Sequence, residues 1–214
     1  AFTLPNLDVV GIFSHFANSK DDVEYTQEQI KRFNIVLEYI KGKYSLPSLV
    51  HFANSGAISN HLEDSFFDMV RPGLLMYGYS YNPEIQKLLK PVMSLKTEVS
   101  YFKVLDANQS VGYDRTYITK ERTRIVTIPV GYADGYPKNN GEVYINGKRY
   151  PVVGTVCMDQ TMVDIGNDGE AYVGDMVELW GEYISLFDVA EYTGRSLHEL
   201  MSGIGERVPR RYLT

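Results

Sequence analysis

Two short segments of this sequence combine residue types that could hold an anionic ligand. Ser55 is followed by Gly56 and a short predicted helix, so a hydroxyl and a helix amino terminus would lie together. Residues 71–74, Arg-Pro-Gly-Leu, interrupt an apolar run, and their glycine leaves backbone N–H groups accessible. Together the two segments could bind a phosphate. Taken singly, Ser-Gly is also typical of a helix cap, and Arg-Pro-Gly of a strand end with a turn.

A tyrosine that could act as a general base lies in the second half of the chain. In residues 109–117 (QSVGYDRTY), Tyr113 directly follows a glycine and Arg115 comes two residues later. In a strand the two side chains share a face, and a nearby cation favours the phenolate that a tyrosine base needs. The alternative is a half-buried tyrosine that packs on an arginine.

Three further candidates have weaker signals. His15 lies at the end of an apolar segment, where parallel α/β folds place functional groups, but a lone histidine there is also typical of a packed structural residue. Residues 131–137 (GYADGYP), which include Tyr132, predict a loop. Met158-Asp159 falls within the β run 154–165, where an acid needs a partner or solvent. A kink in a buried strand is the alternative.

Units of a parallel sheet must position the first group of candidates. Apolar runs at residues 9–16, 48–55 and 67–76 predict three strands, and the apolar spacing over residues 30–40 predicts an amphipathic helix between the first two. This order is that of a βαβ unit. Three parallel strands are too few for an eight-stranded barrel, which takes about 250 residues, so we expect an open half-sheet.

The remainder of the chain has the pattern of a mostly β domain. Short β-rich segments alternate with turn residues, and Asn146-Gly147 predicts a two-residue hairpin. Short helices are predicted at residues 185–194 and 196–203. We therefore assign residues 1–85 to an α/β domain and residues 86–214 to a β-rich carboxyl-terminal domain.

Composition argues against several functions. The 214 residues are 44% apolar, enough for a core, and their net charge of -6 comes without the basic cluster that nucleic acid would require. Cys157 is the only cysteine, which rules out an intrachain disulfide, and no segment approaches the roughly 18 apolar residues of a membrane span. We expect a cytoplasmic protein with no metal site and no nucleic-acid or membrane contact from this segment. The first ten residues have neither an initiator methionine nor a basic signal-peptide start, which predicts a fragment.

Seven segments, in order, carry a resemblance to a known family: SHFANS, HFANSGA, MVRPGLLMYG, VGYDRTY, IPVGYADGYP, VGTVCMDQTMVDI and RVPRRY. Over its whole length the sequence resembles the alanine racemases, bacterial pyridoxal 5'-phosphate isomerases that supply D-alanine for cell-wall peptidoglycan. The resemblance implies the last part of a (β/α)8 barrel followed by a mostly β carboxyl-terminal domain. It also implies a small amino-acid substrate and a homodimer whose active sites are shared between subunits.

The resemblance assigns cofactor roles to residues of the first domain. Arg71 would hydrogen-bond the pyridine nitrogen, and because an arginine does not give up its proton, the ring nitrogen would stay largely unprotonated. His51 would support Arg71 from behind, and His15 would lie against the cofactor ring. Three residues would hold the phosphate: Ser55 through its hydroxyl, and Gly73 and Leu74 through their N–H groups.

Substrate roles fall on the second domain. The resemblance implies that Tyr113 is the base on one face of the substrate α-carbon and reaches into the active site of the other subunit. Arg115, from its spacing, would support Tyr113 from behind. The backbone of Met158 would meet the substrate carboxylate. Tyr132 and Asp159 would line the entrance.

One part of the family pattern is absent from this sequence. The lysine that forms the Schiff base and serves as the second base lies, in the family, in an early barrel strand within an apolar-Lys-Ala-Asn motif that does not occur here. The arginine that binds the substrate carboxylate is also missing. We expect the chain to be the last three or so βα units plus the whole β domain, inactive alone. A non-catalytic dimerisation or binding module derived from the family is the alternative.

A second departure concerns the substrate. His198 stands nine residues before Arg207, where alanine racemases usually have a tyrosine that touches the phosphate and walls the substrate pocket. The related serine racemases of glycopeptide-resistant bacteria also depart from tyrosine at this position. Serine therefore stays open beside alanine as the substrate, and so does an upstream membrane domain, which some serine racemases have.

Overall fold

The computed structural model describes residues 1–138 and 141–213, and the chain divides into two compact units, Ala1–Val92 and Met93–Thr214. Residues 86–92, which the sequence-based boundary assigned to the second domain, fall in the first unit. That boundary stays a prediction. Among the helices of the described residues, none is long and apolar enough to cross a membrane.

The first unit is built on a three-stranded parallel sheet. Its elements are β1 (Gly11–Phe13), α1 (Val23–Lys41), β2 (Leu49–Asn54), α2 (Ser55–Ser59), β3 (Met69–Arg71) and α3 (Pro83–Gln86). β1 and β3 both pair with β2 in parallel, in the order β1-β2-β3. The three predicted parallel strands and the helix between the first two are therefore confirmed.

The third strand is shorter than the sequence predicted. β3 ends at Arg71, and a 3-10 turn over Leu74–Tyr77 follows it. The next residue, Pro72, has no N–H to donate to a neighbouring strand, and its ring fixes φ near the value of a turn. The prediction of a strand through residue 76 is wrong, because the proline ends the strand at the arginine.

Packing of α1 fixes the position of β2. The ring of Phe52 on β2 stacks on Phe16 at 3.8 Å between centroids and contacts Phe33 of α1 at 4.9 Å. Burying an aromatic side chain contributes about 1.5–3 kcal/mol, whereas an exposed ion pair such as Arg32 with Glu28 contributes about 0–1 kcal/mol. The aromatic core, not the charged helix surface, therefore holds the carboxyl end of β2 in place.

The second unit is built around a seven-stranded sheet. Its strands are β4 (Leu95–Glu98), β5 (Tyr101–Leu105), β6 (Ser110–Val111), β7 (Tyr117–Ile118), β8 (Thr123–Ile128), β9 (Glu142–Ile145), β10 (Lys148–Val153), β11 (Thr161–Asp164) and β12 (Met176–Trp180), and its helices are α4 (Leu186–Thr193) and α5 (Leu197–Ser202). Seven strands pair in the order β4-β12-β9-β10-β11-β8-β5, all antiparallel, whereas β6 and β7 form a two-stranded sheet of their own.

Turn and strand patterns in this unit agree with the predictions. Asn146 and Gly147 join β9 to β10 with φ of 45° and 91°, the left-handed conformations of a tight hairpin turn. Alternation within β9 places Val143 and Ile145 on a fully buried face. The mostly β character, the hairpin and the two short helices are confirmed.

Candidate active site

Residues predicted to bind an anion or a ring meet near the carboxyl ends of the three parallel strands. His15 follows β1, Ser55 follows β2 directly, and Arg71 is the last residue of β3. Because the carboxyl ends of parallel strands lie along one edge of a sheet, the fold brings these positions together. We call the following residues the strand-end cluster: His15, His51, Ser55, Arg71, Gly73 and Leu74.

The guanidinium group of Arg71 is the centre of the strand-end cluster. Its Nη1 hydrogen-bonds Nδ1 of His51, and its Nη2 donates to the carbonyl oxygen of Ser14 at 2.8 Å. Longer contacts of 3.3 Å join Nη2 to Nδ1 of His15 and to the carbonyl oxygen of Phe52. All these hydrogen bonds use the two Nη atoms. The bonds hold the planar guanidinium group in one orientation, and an arginine keeps its proton.

His51 is a neutral partner for this cation. Burial lowers the pKa of its imidazole below the ordinary value of 6.5, and the positive charge of Arg71 lowers it further. An arginine only donates hydrogen bonds, so Nδ1 of His51 must accept, and the proton of the neutral ring then lies on Nε2. The ring also stacks on Phe13 at 5.0 Å between centroids. Stacking on Phe13 and the hydrogen bond from Arg71 therefore orient the His51 ring.

An open recess lies beside Ser55 and the turn that follows β3. A Cβ atom added to Gly73 would meet only the Oγ of Ser55, at 4.0 Å, so the space in front of this glycine is free of side chains. A cavity lined in part by Ser55 and Leu74 adjoins it. The Ser55 hydroxyl accepts a hydrogen bond from Leu75 N at 3.3 Å, and the Gly73 N–H donates to the Arg71 carbonyl at 3.1 Å. A hydroxyl beside uncovered backbone suits a phosphate.

Asn54 is a residue of this region that the sequence reasoning missed. Its Oδ1 accepts hydrogen bonds from the Ser19 hydroxyl at 2.7 Å and from Ala57 N at 3.1 Å, and it thereby caps α2. Its Nδ2 lies 3.5 Å from Nε2 of His15. The signal was present, because asparagine before a short helix is a preferred cap, but the cap was considered at Ser55 instead.

Tyr113 of the second unit lies on a 3-10 turn between β6 and β7. We call residues 112–115 the tyrosine turn. The expectation that Tyr113 and Arg115 share a face of a strand is wrong, because Gly112, Asp114 and Arg115 have φ of 75°, 58° and 52°. A non-glycine residue in this left-handed region costs of order 1–3 kcal/mol, which the surroundings must offset. Tyr113 is 69% exposed, and the help expected from Arg115 stays a prediction.

Tyr132 and Met158 lie beside each other through their backbones. Tyr132 N donates to the carbonyl oxygen of Cys157 at 3.1 Å, and Ala133 N donates to that of Met158 at 2.8 Å. Gly131 permits this approach, since a Cβ atom there would come within 2.5 Å of the Met158 carbonyl oxygen. Two predicted substrate residues are therefore held together by main-chain contacts.

Asp159 and His198 are both exposed. The expectation that Met158-Asp159 lies within a β run is wrong, because the two residues occupy the loop between β10 and β11, where the acid needs no protein partner. His198 lies in the first turn of α5. There Ser196 Oγ accepts from Glu199 N at 3.2 Å, Ser196 N donates to the Glu199 carboxylate at 2.9 Å, and the Ser196 hydrogen bonds lower the pKa of that carboxyl. The roles of Asp159 and His198 stay predictions.

Two family profiles match this sequence. The profile described as alanine racemase, N-terminal domain, matches residues 1–81, and the profile described as alanine racemase, C-terminal domain, matches residues 92–212. The match to the N-terminal domain precedes the match to the C-terminal domain along the chain.

Individual relatives agree with the profiles. Alanine racemase 2 of Caldanaerobacter subterraneus subsp. tengcongensis is 42% identical over 220 residues, which cover 98% of this chain and 56% of that protein. The alanine racemase of Clostridium kluyveri is 41% identical over 221 residues, with the same coverage of 98% and 56%. The chain thus spans a little more than half the length of these relatives.

Solved structures are similar as well. The alanine racemase from the D-cycloserine-producing Streptomyces lavendulae has a TM-score of 0.90 at 34% identity, over 96% of this chain and 56% of that chain. The alanine racemase from Bartonella henselae with covalently bound pyridoxal phosphate has a TM-score of 0.85 at 35% identity, over 96% and 57%. These likenesses in sequence and in fold agree. The chain belongs to the alanine racemase family.

Proposed function

We propose that this chain is the carboxyl-terminal part of a racemase that depends on pyridoxal 5'-phosphate and interconverts L- and D-alanine. In this proposal the first unit is the last part of a (β/α)8 barrel and the second is its β domain. The observation that carries the proposal is the fixed Arg71 cation beside the open recess at Ser55 and Gly73. The names of the relatives and the cofactor in the Bartonella henselae structure support it.

The strand-end cluster fits this cofactor. Within the described residues the hydrogen bonds of Arg71 use only its Nη atoms, which leaves the Nε–H as a donor for an acceptor nitrogen in the ring. The Ser55 hydroxyl and the open space in front of Gly73 suit the phosphate. In this proposal the Leu74 N–H donates to the phosphate, the Gly73 N–H exchanges its bond to the Arg71 carbonyl for one to the phosphate, and His198 adds a contact. When bound, the cofactor delocalises the electron pair that remains on the substrate α-carbon after its proton is removed.

Residues around Arg71 hold it at one position and protonation state. His51 accepts from Nη1 and keeps the guanidinium plane oriented, while the Ser14 carbonyl fixes Nη2. His15 lies against the ring in this proposal, and its Nδ1 is 3.3 Å from Nη2. Since Arg71 donates and does not lose its proton, it binds the ring nitrogen in the unprotonated state. This favours chemistry that returns the proton to the α-carbon over reactions that need a stronger electron sink.

The second unit supplies one of the two bases in this proposal. Tyr113 removes or returns a proton on one face of the α-carbon, in the active site of the partner subunit of a homodimer, and its exposed position supports this role. The Met158 N–H binds the substrate carboxylate, and Tyr132 and Asp159 line the entrance. The second base, a lysine in the family, does not come from these motifs, so the chain alone is inactive.

Racemisation by the complete polypeptide that contains this chain tests the proposal. L-alanine and L-serine are each incubated with the polypeptide and added pyridoxal 5'-phosphate, and the D-enantiomers are quantified. Turnover of alanine with little turnover of serine supports the proposal. A preference for serine would mean that the polypeptide is a serine racemase instead. The histidine at position 198, where alanine racemases usually have tyrosine, would then support that substrate. Cofactor binding or dimerisation without turnover of either amino acid would contradict both and favour the non-catalytic module.

A further inference from the structure

The tyrosine turn is attached to the main sheet of the second unit in part by a half-buried side-chain contact. β6 and β7, which flank the turn, pair through Ser110 with Ile118 and Val111 with Tyr117, and two main-chain hydrogen bonds join Thr119 to residues 108 and 109 at the base of the hairpin. The two strands are separate from the seven-stranded sheet. The Tyr117 hydroxyl donates a 2.5 Å hydrogen bond to Oδ2 of Asp164. Because two residue pairs make a short ladder, we expect side chains to decide where this hairpin lies.

Asp164 connects the hairpin to the centre of the sheet. It is the last residue of β11 and pairs with Ile125 of β8. Its Oδ1 accepts from the hydroxyl of Thr123, which is buried, and from Gly166 N at 2.9 Å. Both carboxylate oxygens are therefore used, one toward the sheet and one toward Tyr117. Burial and the bond to Asp164 raise the pKa of Tyr117 to about 12, so its hydroxyl stays a donor at neutral pH.

Contacts made by the tyrosine turn itself are weak by comparison. The Thr155 hydroxyl lies 3.4 Å from the Tyr113 carbonyl oxygen and 3.4 Å from the Thr116 hydroxyl. Both distances are at the long end for hydrogen bonds between oxygen atoms. The left-handed residues of the turn must therefore be held mainly by the two strands that flank it, through Val111, which is buried against Ile125 and Val153, and through Tyr117. A further attachment, at the base of the hairpin, is Thr119, whose hydroxyl donates to the Asp106 carbonyl at 2.7 Å.

We propose that Tyr117 and Asp164 are positioning residues for Tyr113. The hydrogen bond between them fixes the base of the hairpin against β11, and this fixes the turn that presents the Tyr113 hydroxyl. The inference deepens the proposed function, because it presupposes that Tyr113 is the base on one face of the substrate. Neither positioning residue needs to touch substrate or cofactor.

Tyr117→Phe in the complete polypeptide removes this hydrogen bond and keeps the half-buried ring. Tyr192→Phe is the matched control, because its pKa is also raised to about 12, but its buried hydroxyl has no hydrogen-bond partner among the described residues and it lies on α4. The first measurement is amide hydrogen exchange over residues 112–116, which needs no activity. We expect it to rise about tenfold in Tyr117→Phe, the equivalent of one lost hydrogen bond, and to stay at the wild-type rate in Tyr192→Phe.

The second measurement separates positioning from general destabilisation. Two enantiomers have equal free energies, so racemisation itself slows equally in both directions, whereas exchange of the α-hydrogen with solvent reports each face separately. Tyr113→Phe identifies the enantiomer that Tyr113 deprotonates. We expect Tyr117→Phe to slow exchange of that same enantiomer about tenfold, through kcat with KM little changed, and the other enantiomer less. Asp164→Asn, which keeps one of the two acceptor oxygens, should slow exchange of the same enantiomer less than Asp164→Ala does.

The two measurements distinguish failure of the positioning role from failure of the proposed function. Equal losses for both enantiomers, or wild-type hydrogen exchange over residues 112–116, would overturn the positioning role even if the wild type is an efficient racemase. Faster hydrogen exchange confined to this segment, in a polypeptide that racemises nothing, would support the attachment of the turn while the proposed function fails.

Discussion

The strand-end cluster and the tyrosine turn solve the same problem, the placement of a polar group, by different means. Arg71 is the last residue of a strand, and hydrogen bonds to two neighbouring segments hold it within a parallel sheet. Tyr113 lies on an exposed turn with left-handed residues, which is attached to the main sheet through buried Val111 on one side and the bond between Tyr117 and Asp164 on the other. Regular structure thus fixes the first group directly, whereas the second depends on contacts several residues away.

This difference predicts which substitutions would disturb each group of residues in the proposed racemase. Damage to the strand-end cluster is expected from the loss of its own polar groups or of their direct hydrogen-bond neighbours, because the sheet and its aromatic core hold the backbone. The tyrosine turn can be displaced without any change at Tyr113. Substitutions in the complete polypeptide test this contrast, and the largest effects are expected where a reacting group is removed.

Tyr113→Phe is expected to have the largest effect. Removal of a general base typically lowers a rate about 10²–10⁴-fold, and here the loss should fall on deprotonation of one enantiomer. The measurement is solvent exchange of the α-hydrogen, followed separately for L- and D-alanine. Tyr132→Phe, which removes a hydroxyl at the proposed entrance, is the comparison and should have a smaller effect. Equal, small losses for both enantiomers would remove Tyr113 from the role of base.

Arg71→Ala is expected to lower kcat by about 10²-fold, as removal of a preorganised electrostatic group often does. It also leaves His51 Nδ1 and the Ser14 carbonyl without the donor they have now. The absorption spectrum of the bound cofactor gives a second readout, because the ring nitrogen would lose its partner. Arg32→Ala, on the exposed face of α1, is the control. Wild-type turnover in Arg71→Ala would separate this residue from the cofactor.

Much of the strand-end cluster was predictable because strand ends are encoded locally. Apolar runs and a proline mark where β2 and β3 end, and parallel pairing then brings Ser55 and Arg71 to one edge. The bond between Asn54 and Ser19 was not predictable, because Ser19 is far away in sequence and close only in the fold, whereas the local cap at Ala57 could have been recognised.

The tyrosine turn shows what the sequence pattern could not provide. Tyr113 was identified as a candidate by its neighbours, but alternation predicted a strand and the structure has a turn with Asp114 and Arg115 at positive φ. Asp164 gave no signal of its own, because an acid at the end of a β segment is ordinary. Its role follows from its partners Tyr117 and Thr123, which lie more than 40 residues earlier in the chain.

Asn54→Ala tests how far the strand-end cluster relies on its cap. Loss of an asparagine cap typically costs about 1 kcal/mol of stability, and here it also frees the Ser19 hydroxyl. We expect lower stability to denaturant together with weaker cofactor binding, since α2 begins at Ser55. Ser185→Ala removes the corresponding cap of α4 in the second unit and is the control for stability alone. If both variants bind the cofactor equally well, the cap of α2 does not position Ser55.

His51→Gln is expected to change the dependence of stability on pH. The pKa of His51 is lowered in the folded protein by burial and by Arg71, so the unfolded chain takes up its proton first as the pH falls below 6.5. The free energy of unfolding should therefore decrease from pH 6.5 toward the lower pKa of the folded state, and His51→Gln should flatten this part of the profile. His61→Gln, at an exposed histidine, is the control. A profile that His51→Gln leaves unchanged would mean that Arg71 does not hold this ring neutral.

His198→Tyr is expected to have the smallest effect and concerns specificity. A histidine is smaller than the tyrosine usual at this position and polar in a different way, so the hydroxyl of serine could find a partner here that alanine does not need. One hydrogen bond contributes a net amount of about 0.5–1.5 kcal/mol, so the ratio of kcat/KM for serine to that for alanine should fall a few-fold in this variant. His61→Tyr makes the same replacement at an exposed histidine of the first unit that is not a member of the strand-end cluster, and should leave the ratio unchanged. Because α5 begins at a fixed capping box, the new ring should occupy the same position on the helix. An unaltered ratio in His198→Tyr would exclude this residue from substrate choice and leave alanine as the substrate without a competing argument.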